Sequence, residues 1–76
     1  MDIQNKIGLR LKELRLKKGI SQEKIAFEIG LDRTYITSVE RGKRNISIKT
    51  LEKFWHYFGL TPKEFFDCEN FKNEKK

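Results

Sequence analysis

The sequence predicts an all-α protein of five short helices. Three observations carry that expectation. Apolar residues recur three and four positions apart, the spacing that lines one face of a helix. Each such stretch opens on Asp, Ser or Thr, and four of the five close on Gly, the usual punctuation of helix starts and stops. No stretch alternates apolar and polar residues as a half-buried strand would.

The first helix is expected over about Ile3 to Lys18. Ile3, Ile7, Leu11 and Leu14 mark its apolar face, and Asp2 stands at its N-cap. Lys17 and Lys18 suit its last turn, where the helix dipole favours cations, and Gly19 ends it. Ser21 caps a second helix, Gln22 to Ile29, with Ile25, Ala26 and Ile29 as its stripe. Gly30 stops it, and Leu31 is the buried residue of the turn. Asp32 caps a third, Arg33 to Arg41, with only Ile36 and Val39 facing a core.

Lys43 to Ile46 reads as a loop. Ser47 then caps a fourth helix, Ile48 to Phe58, whose apolar residues are Ile48, Leu51, Phe54, Trp55 and Phe58. Thr61-Pro62-Lys63-Glu64 combines a cap, a proline at the first helical position and a glutamate at the third. That is a capping box, and it opens a short fifth helix carrying Phe65 and Phe66.

Seventy-six residues make one domain, residues 1–68, followed by a polar C-terminal tail, 69–76, expected to fray. A single Cys cannot form an internal disulfide. No apolar run is long enough for a membrane span or a secretory core, so the expected location is cytoplasmic. The net charge is +6 and is unevenly spread. Residues 1–18 carry six Lys/Arg against Asp2 and Glu13, and residues 41–53 carry five against Glu52 alone. Between them, residues 19–40 are net acidic. Two basic blocks of this kind suit a polyanion, whose counterions they release, and equally suit a solvated surface.

The central signal is a pair of short helices separated by Gly30-Leu31-Asp32, the joint of a helix-turn-helix. Ala26 is small enough to let the two helices approach. An ordinary bundle helix of the third helix's length would bury three or four apolar residues. This one buries two, and its opposite side gathers Thr34, Thr37, Ser38 and Arg41, flanked by Arg33 and Tyr35. Hydroxyls and forked guanidinium donors are the groups that reach base edges and phosphates.

Gly19-Ile20-Ser21-Gln22-Glu23, Ala26, Gly30, Leu31, Tyr35-Ile36 and Val39-Glu40-Arg41-Gly42 resemble the Cro/repressor-type (XRE) helix-turn-helix family. Leu31-Asp32-Arg33-Thr34-Tyr35-Ile36, Glu40-Arg41, Arg44-Asn45 and Ile48-Lys49-Thr50-Leu51-Glu52 resemble, within it, the controller proteins of restriction–modification systems. The resemblance implies a compact five-helix, lambda-repressor-like DNA-binding domain that acts as a homodimer through helices 4 and 5 on inverted-repeat operators. It implies double-stranded DNA as partner, with RNA polymerase as a further one, and neither cofactor nor metal.

The third helix would then read bases through Arg33, Thr34, Tyr35 and Ser38. Gln22, Thr37, Arg41, Lys43, Arg44, Asn45 and Ser47 would lie along phosphates. Arg33 can bond guanine O6 and N7 together, which points to a guanine in each half-site. Tyr35 has a second reading, packing against the turn. Arg15 and Glu40 match a pair that forms a structural salt bridge in repressor-type domains.

Other classes fit less well. His56 and Cys68 stand alone with no metal-ligand spacing, and no Gly-rich phosphate cradle is present, so no enzyme is expected. A phage-type repressor or an antitoxin shares parts of the pattern. A protein-interaction adapter without DNA binding would use the aromatic excess of Phe54, Trp55, Phe58, Phe65 and Phe66 as its surface.

Overall fold

The structure, a computed structural model, describes residues 2–72. Six helices occur in the order α1 (Ile3–Lys18), α2 (Gln22–Ile29), α3 (Arg33–Glu40), α4 (Ile48–Tyr57), α5 (Pro62–Phe66) and α6 (Glu69–Lys72), and the described residues contain no strand. The all-helical expectation holds. The added helix, α6, stands where the sequence predicts a frayed tail, because Phe71 finds the Phe66 ring at 4.9 Å. Residues 73–76 of that tail lie outside the described residues.

Local chemistry sets the boundaries. The side chains of Asp2, Ser21, Ser47 and Thr61 each accept a backbone N–H of the first turn that follows, which relieves donors no helix can satisfy internally. The Thr61–Glu64 capping box is complete in both directions. Asp32 differs from expectation. It occupies the N-cap of α3 but makes no side-chain cap bond; only its carbonyl serves the helix, accepting from Tyr35 and Ile36. Gly30 adopts φ 86°, open to glycine and strained for other residues, and this lets the chain reverse from α2 toward α3.

The core forms where α1 and α2 meet α3 and α4. Ile7, Leu11, Ile25, Ala26, Ile36, Val39, Leu51, Phe54 and Phe65 are buried. Ile48 does not join them: it is 80% exposed, since it lies in the first turn of α4, ahead of the stretch that meets α2, and Ile46 packs on the core from the loop. Ile3 is likewise exposed at the start of α1. The aromatic excess is largely absorbed. Phe65 contacts Phe66 at 5.0 Å and Trp55 at 6.1 Å, and Trp55, Phe58 and Phe66 are half-buried. Phe27, at 86% exposed, stands apart on α2.

Two arginines of the first basic block turn inward. Arg10 is buried, and its Nε and Nη2 donate to the carbonyls of Phe65 (2.6 Å) and Glu64 (2.8 Å). It thereby serves the Phe65 carbonyl at the end of α5 and shares that of Glu64 with the Asp67 N–H. Gly8 lets α1 cross the end of α3 at close range: a Cβ there would lie 2.2 Å from the Val39 carbonyl oxygen.

A second polar tie joins α2 to α4. The Tyr57 hydroxyl donates to the Glu28 carboxylate, which also pairs with Lys24 Nζ at 3.1 Å. Burial first, and then that bond, pushes the Tyr57 hydroxyl up to about 12 from an ordinary 10.0. The bond from Tyr57, then Lys24, holds the Glu28 carboxyl below its ordinary value. Because the folded pKa of Tyr57 is the higher one, its contribution is complete below the unfolded pKa and fades as pH rises from about 10 to about 12. Thermal melts across that window should decline less steeply for Tyr57→Phe than for the parent chain.

Candidate nucleic-acid interface

The turn and α3 present one polar face. Ile36 and Val39 point into the core, while Arg33, Thr34 and Arg41 are exposed and Tyr35, Thr37 and Ser38 are half-buried on the outer side. A helix with a two-residue apolar seam must show the rest of its circumference to solvent. A major groove is wide enough to admit an α-helix. Tyr35 is not simply packed against the turn: the Arg44 guanidinium lies over its ring, 4.5 Å from the centroid. That stacking draws the loop after α3 toward the helix.

The same loop continues the surface. Lys43, Arg44, Asn45 and Ser47 are all exposed. Asn45 Oδ1 accepts from Gln4 Nε2, and the Asn5 side chain lies against Gly42, so the start of α1 borders the loop. Ser47 is engaged as a cap: its Oγ accepts from the Thr50 N–H at 3.1 Å and donates to Thr50 Oγ1 at 3.0 Å. The basic block from Arg41 to Arg44 thus stands beside α3. Arg10, which sequence reasoning counts with the basic block, is spent on the protein interior, as is Arg15, whose pairing with Glu40 the resemblance implies.

Behind the outer face runs a chain of side-chain hydrogen bonds. Arg15 donates to both oxygens of Glu40, at 2.7 and 3.0 Å, and to the Ile20 carbonyl at 2.9 Å. Both side chains are nearly buried, 10% and 5% exposed. Gln22 Nε2 donates to Glu40 Oε1 at 2.9 Å, and the Thr37 hydroxyl donates to Gln22 Oε1 at 2.8 Å. The pair read from the sequence as a salt bridge therefore reaches two residues read there as phosphate contacts.

Sequence reasoning missed Gln4, Asn5, Gly8 and Arg10. For Gly8 a signal existed, since a glycine inside a helical pattern often marks close approach. For Gln4 there was none, because its partner lies 41 residues away. No group of three or more His, Cys, Asp or Glu side chains among the described residues is arranged to hold a metal, and no helix there is long and apolar enough to cross a membrane.

Comparison with known proteins agrees with this geometry. A family model described as helix-turn-helix matches residues 11–65. Control protein C.MunI of Mycoplasma sp is 48% identical over 66 residues, 86% of this chain and 89% of that protein. Control protein C.BamHI of Bacillus amyloliquefaciens is 46% identical over 61 residues, 79% of this chain and 75% of that protein. Among solved structures, the restriction–modification controller protein C.Esp1396I, a tetramer in complex with its natural 35-base-pair operator, superposes with a TM-score of 0.79. That match is 37% identical and covers 88% of each chain. With α2, the glycine turn and an outward polar α3 all inside the matched region, the chain belongs to the helix-turn-helix family, among the restriction–modification controller proteins.

Proposed function

We propose that this chain is a sequence-specific transcription regulator of a restriction–modification system, binding inverted-repeat operators that govern its own gene and that of the endonuclease. The observation that carries the reading is the outer face of α3, whose hydroxyls and guanidinium groups stand clear of the core. Arg33 and Thr34, at the exposed start of the helix, would meet base edges, with Tyr35 and Ser38 beside them. Arg41, Lys43, Arg44, Asn45 and Ser47 follow the DNA backbone, joined by Gln22 at the start of α2. The proposed homodimer pairs α4 and α5 of two copies, which sets two α3 helices against successive major grooves about 34 Å apart. The action is binding rather than catalysis, performed in the cytoplasm where operator DNA lies and where RNA polymerase can be met.

Selection from a pool of random duplexes tests the reading. It should recover an inverted repeat with guanine in each half-site. Binding that responds to salt and ignores sequence would refute it. Arg33→Ala should cost roughly 1–3 kcal/mol on the selected operator and relax one position per half-site. An equal loss on every sequence would make Arg33 a phosphate clamp instead.

A further inference from the structure

We propose that Thr37 meets DNA as a hydrogen-bond acceptor and reads an exocyclic amino group, of adenine or cytosine, in the major groove. The proposal rests on the DNA-binding reading above and adds a specificity residue to it. Sequence alone groups Thr37 with the phosphate contacts, as a hydroxyl that would donate. The chain of bonds behind α3 removes that option.

The direction of every proton in that chain follows from its buried end. The Glu40 carboxylate, gripped at both oxygens by Arg15, has acceptor capacity only. Glu40 Oε1 lies 2.9 Å from one end of the Gln22 carbamoyl group, so that end must be the NH2. The reversed amide would set two acceptors against each other with no proton between them. Gln22 Oε1 consequently faces Thr37, and across 2.8 Å the Thr37 hydroxyl is the donor. A hydroxyl has one proton. The alternative acceptor, the Arg33 carbonyl at 3.1 Å, is farther and already serves the helix ladder.

What Thr37 keeps is two lone pairs, on a half-buried side chain one turn after Arg33 and beside Ser38. Phosphate oxygens, guanine O6 and N7, and thymine O4 are all acceptors, and none can pair with a lone pair. In the major groove the donors are adenine N6 and cytosine N4. The nearly buried Arg15–Glu40 pair therefore dictates, through Gln22, which half of the base code Thr37 can read.

Operator selection and salt titration with the parent chain, Thr37→Val and Thr37→Ser provide the test. Valine keeps the shape of threonine without the oxygen, and serine keeps the oxygen. The parent should fix adenine or cytosine at one further position per half-site, and the base recovered tells which amino group is read. Thr37→Val should bind that operator roughly three- to tenfold more weakly, the worth of one neutral hydrogen bond, with the preference at that position lost. Its salt slope should match the parent's, and Thr37→Ser should restore the preference. An unchanged preference at every position would overturn the proposal. So would a loss equal on every sequence, which marks a phosphate contact. If the parent itself selects no inverted repeat, it is the regulator reading that fails.

Discussion

A Gly8→Ala chain should lose about 3 kcal/mol or more of stability, seen as a lower denaturation midpoint in urea with an unchanged slope. The direction runs against propensity. Inside an exposed helix the same change stabilises by roughly 0.5–1 kcal/mol, because alanine surrenders less chain entropy. Here the new methyl would sit 2.2 Å from the Val39 carbonyl oxygen and 3.1 Å from that of Glu40. Both obstacles are backbone, so no rotamer change removes them. Either α1 lifts away from the end of α3 or the last turn of α3 shifts, and each loosens the core in which Ile7 and Val39 are buried. A domain of this size holds only roughly 4–11 kcal/mol in total, so the loss is a large fraction of it. A midpoint equal to or above the parent's would show that α1 and α3 do not approach as described.

Glu40→Ala should cost on the order of 3–5 kcal/mol, the penalty of leaving a nearly buried guanidinium without its counter-charge. Arg15 would retain only the Ile20 carbonyl among the partners described for it. Thermal unfolding measures the loss, and a second variant separates charge from packing. Arg15→Met combined with Glu40→Leu removes both charges and should recover most of the stability, since apolar replacements of a buried pair are often neutral or better. The doubly replaced chain should nevertheless discriminate operators poorly, because the Gln22 amide then keeps only Thr37 and can turn either end toward it. Were Glu40→Ala to melt with the parent, the pair would be as inconsequential as an exposed one.

The parts of the fold legible in sequence were those written in local chemistry. The starts of α1, α2, α4 and α5 follow from side-chain caps, and their apolar spacing names most of the buried residues. Legibility failed where partners are distant. Arg10 looks like one more surface charge until the carbonyls of Glu64 and Phe65 fold over it from 54 and 55 residues away. Ile48 keeps the apolar period yet faces solvent, because period gives a face of the helix and not the point along it where the core begins. The helix α6 has one large apolar residue, Phe71, and only the ring of Phe66 makes it worth ordering. For the site, the residue types on α3 were readable from the sequence. The polarity of their hydrogen bonds was not, since it descends from Glu40, which sequence alone could assign only to a salt bridge.

Arg10 has a consequence beyond stability. It fastens α5 to α1, the helix that also carries α3 through Gly8 and the Arg15 pair. The surface proposed to meet a groove and the surface proposed to meet a second copy are thus borne by one strut. Two such bodies, joined back to back as proposed, would behave as a caliper of fixed gauge. One base pair added between half-sites swings the far one by about a tenth of a turn around the duplex, and a caliper without a hinge has no means of following it.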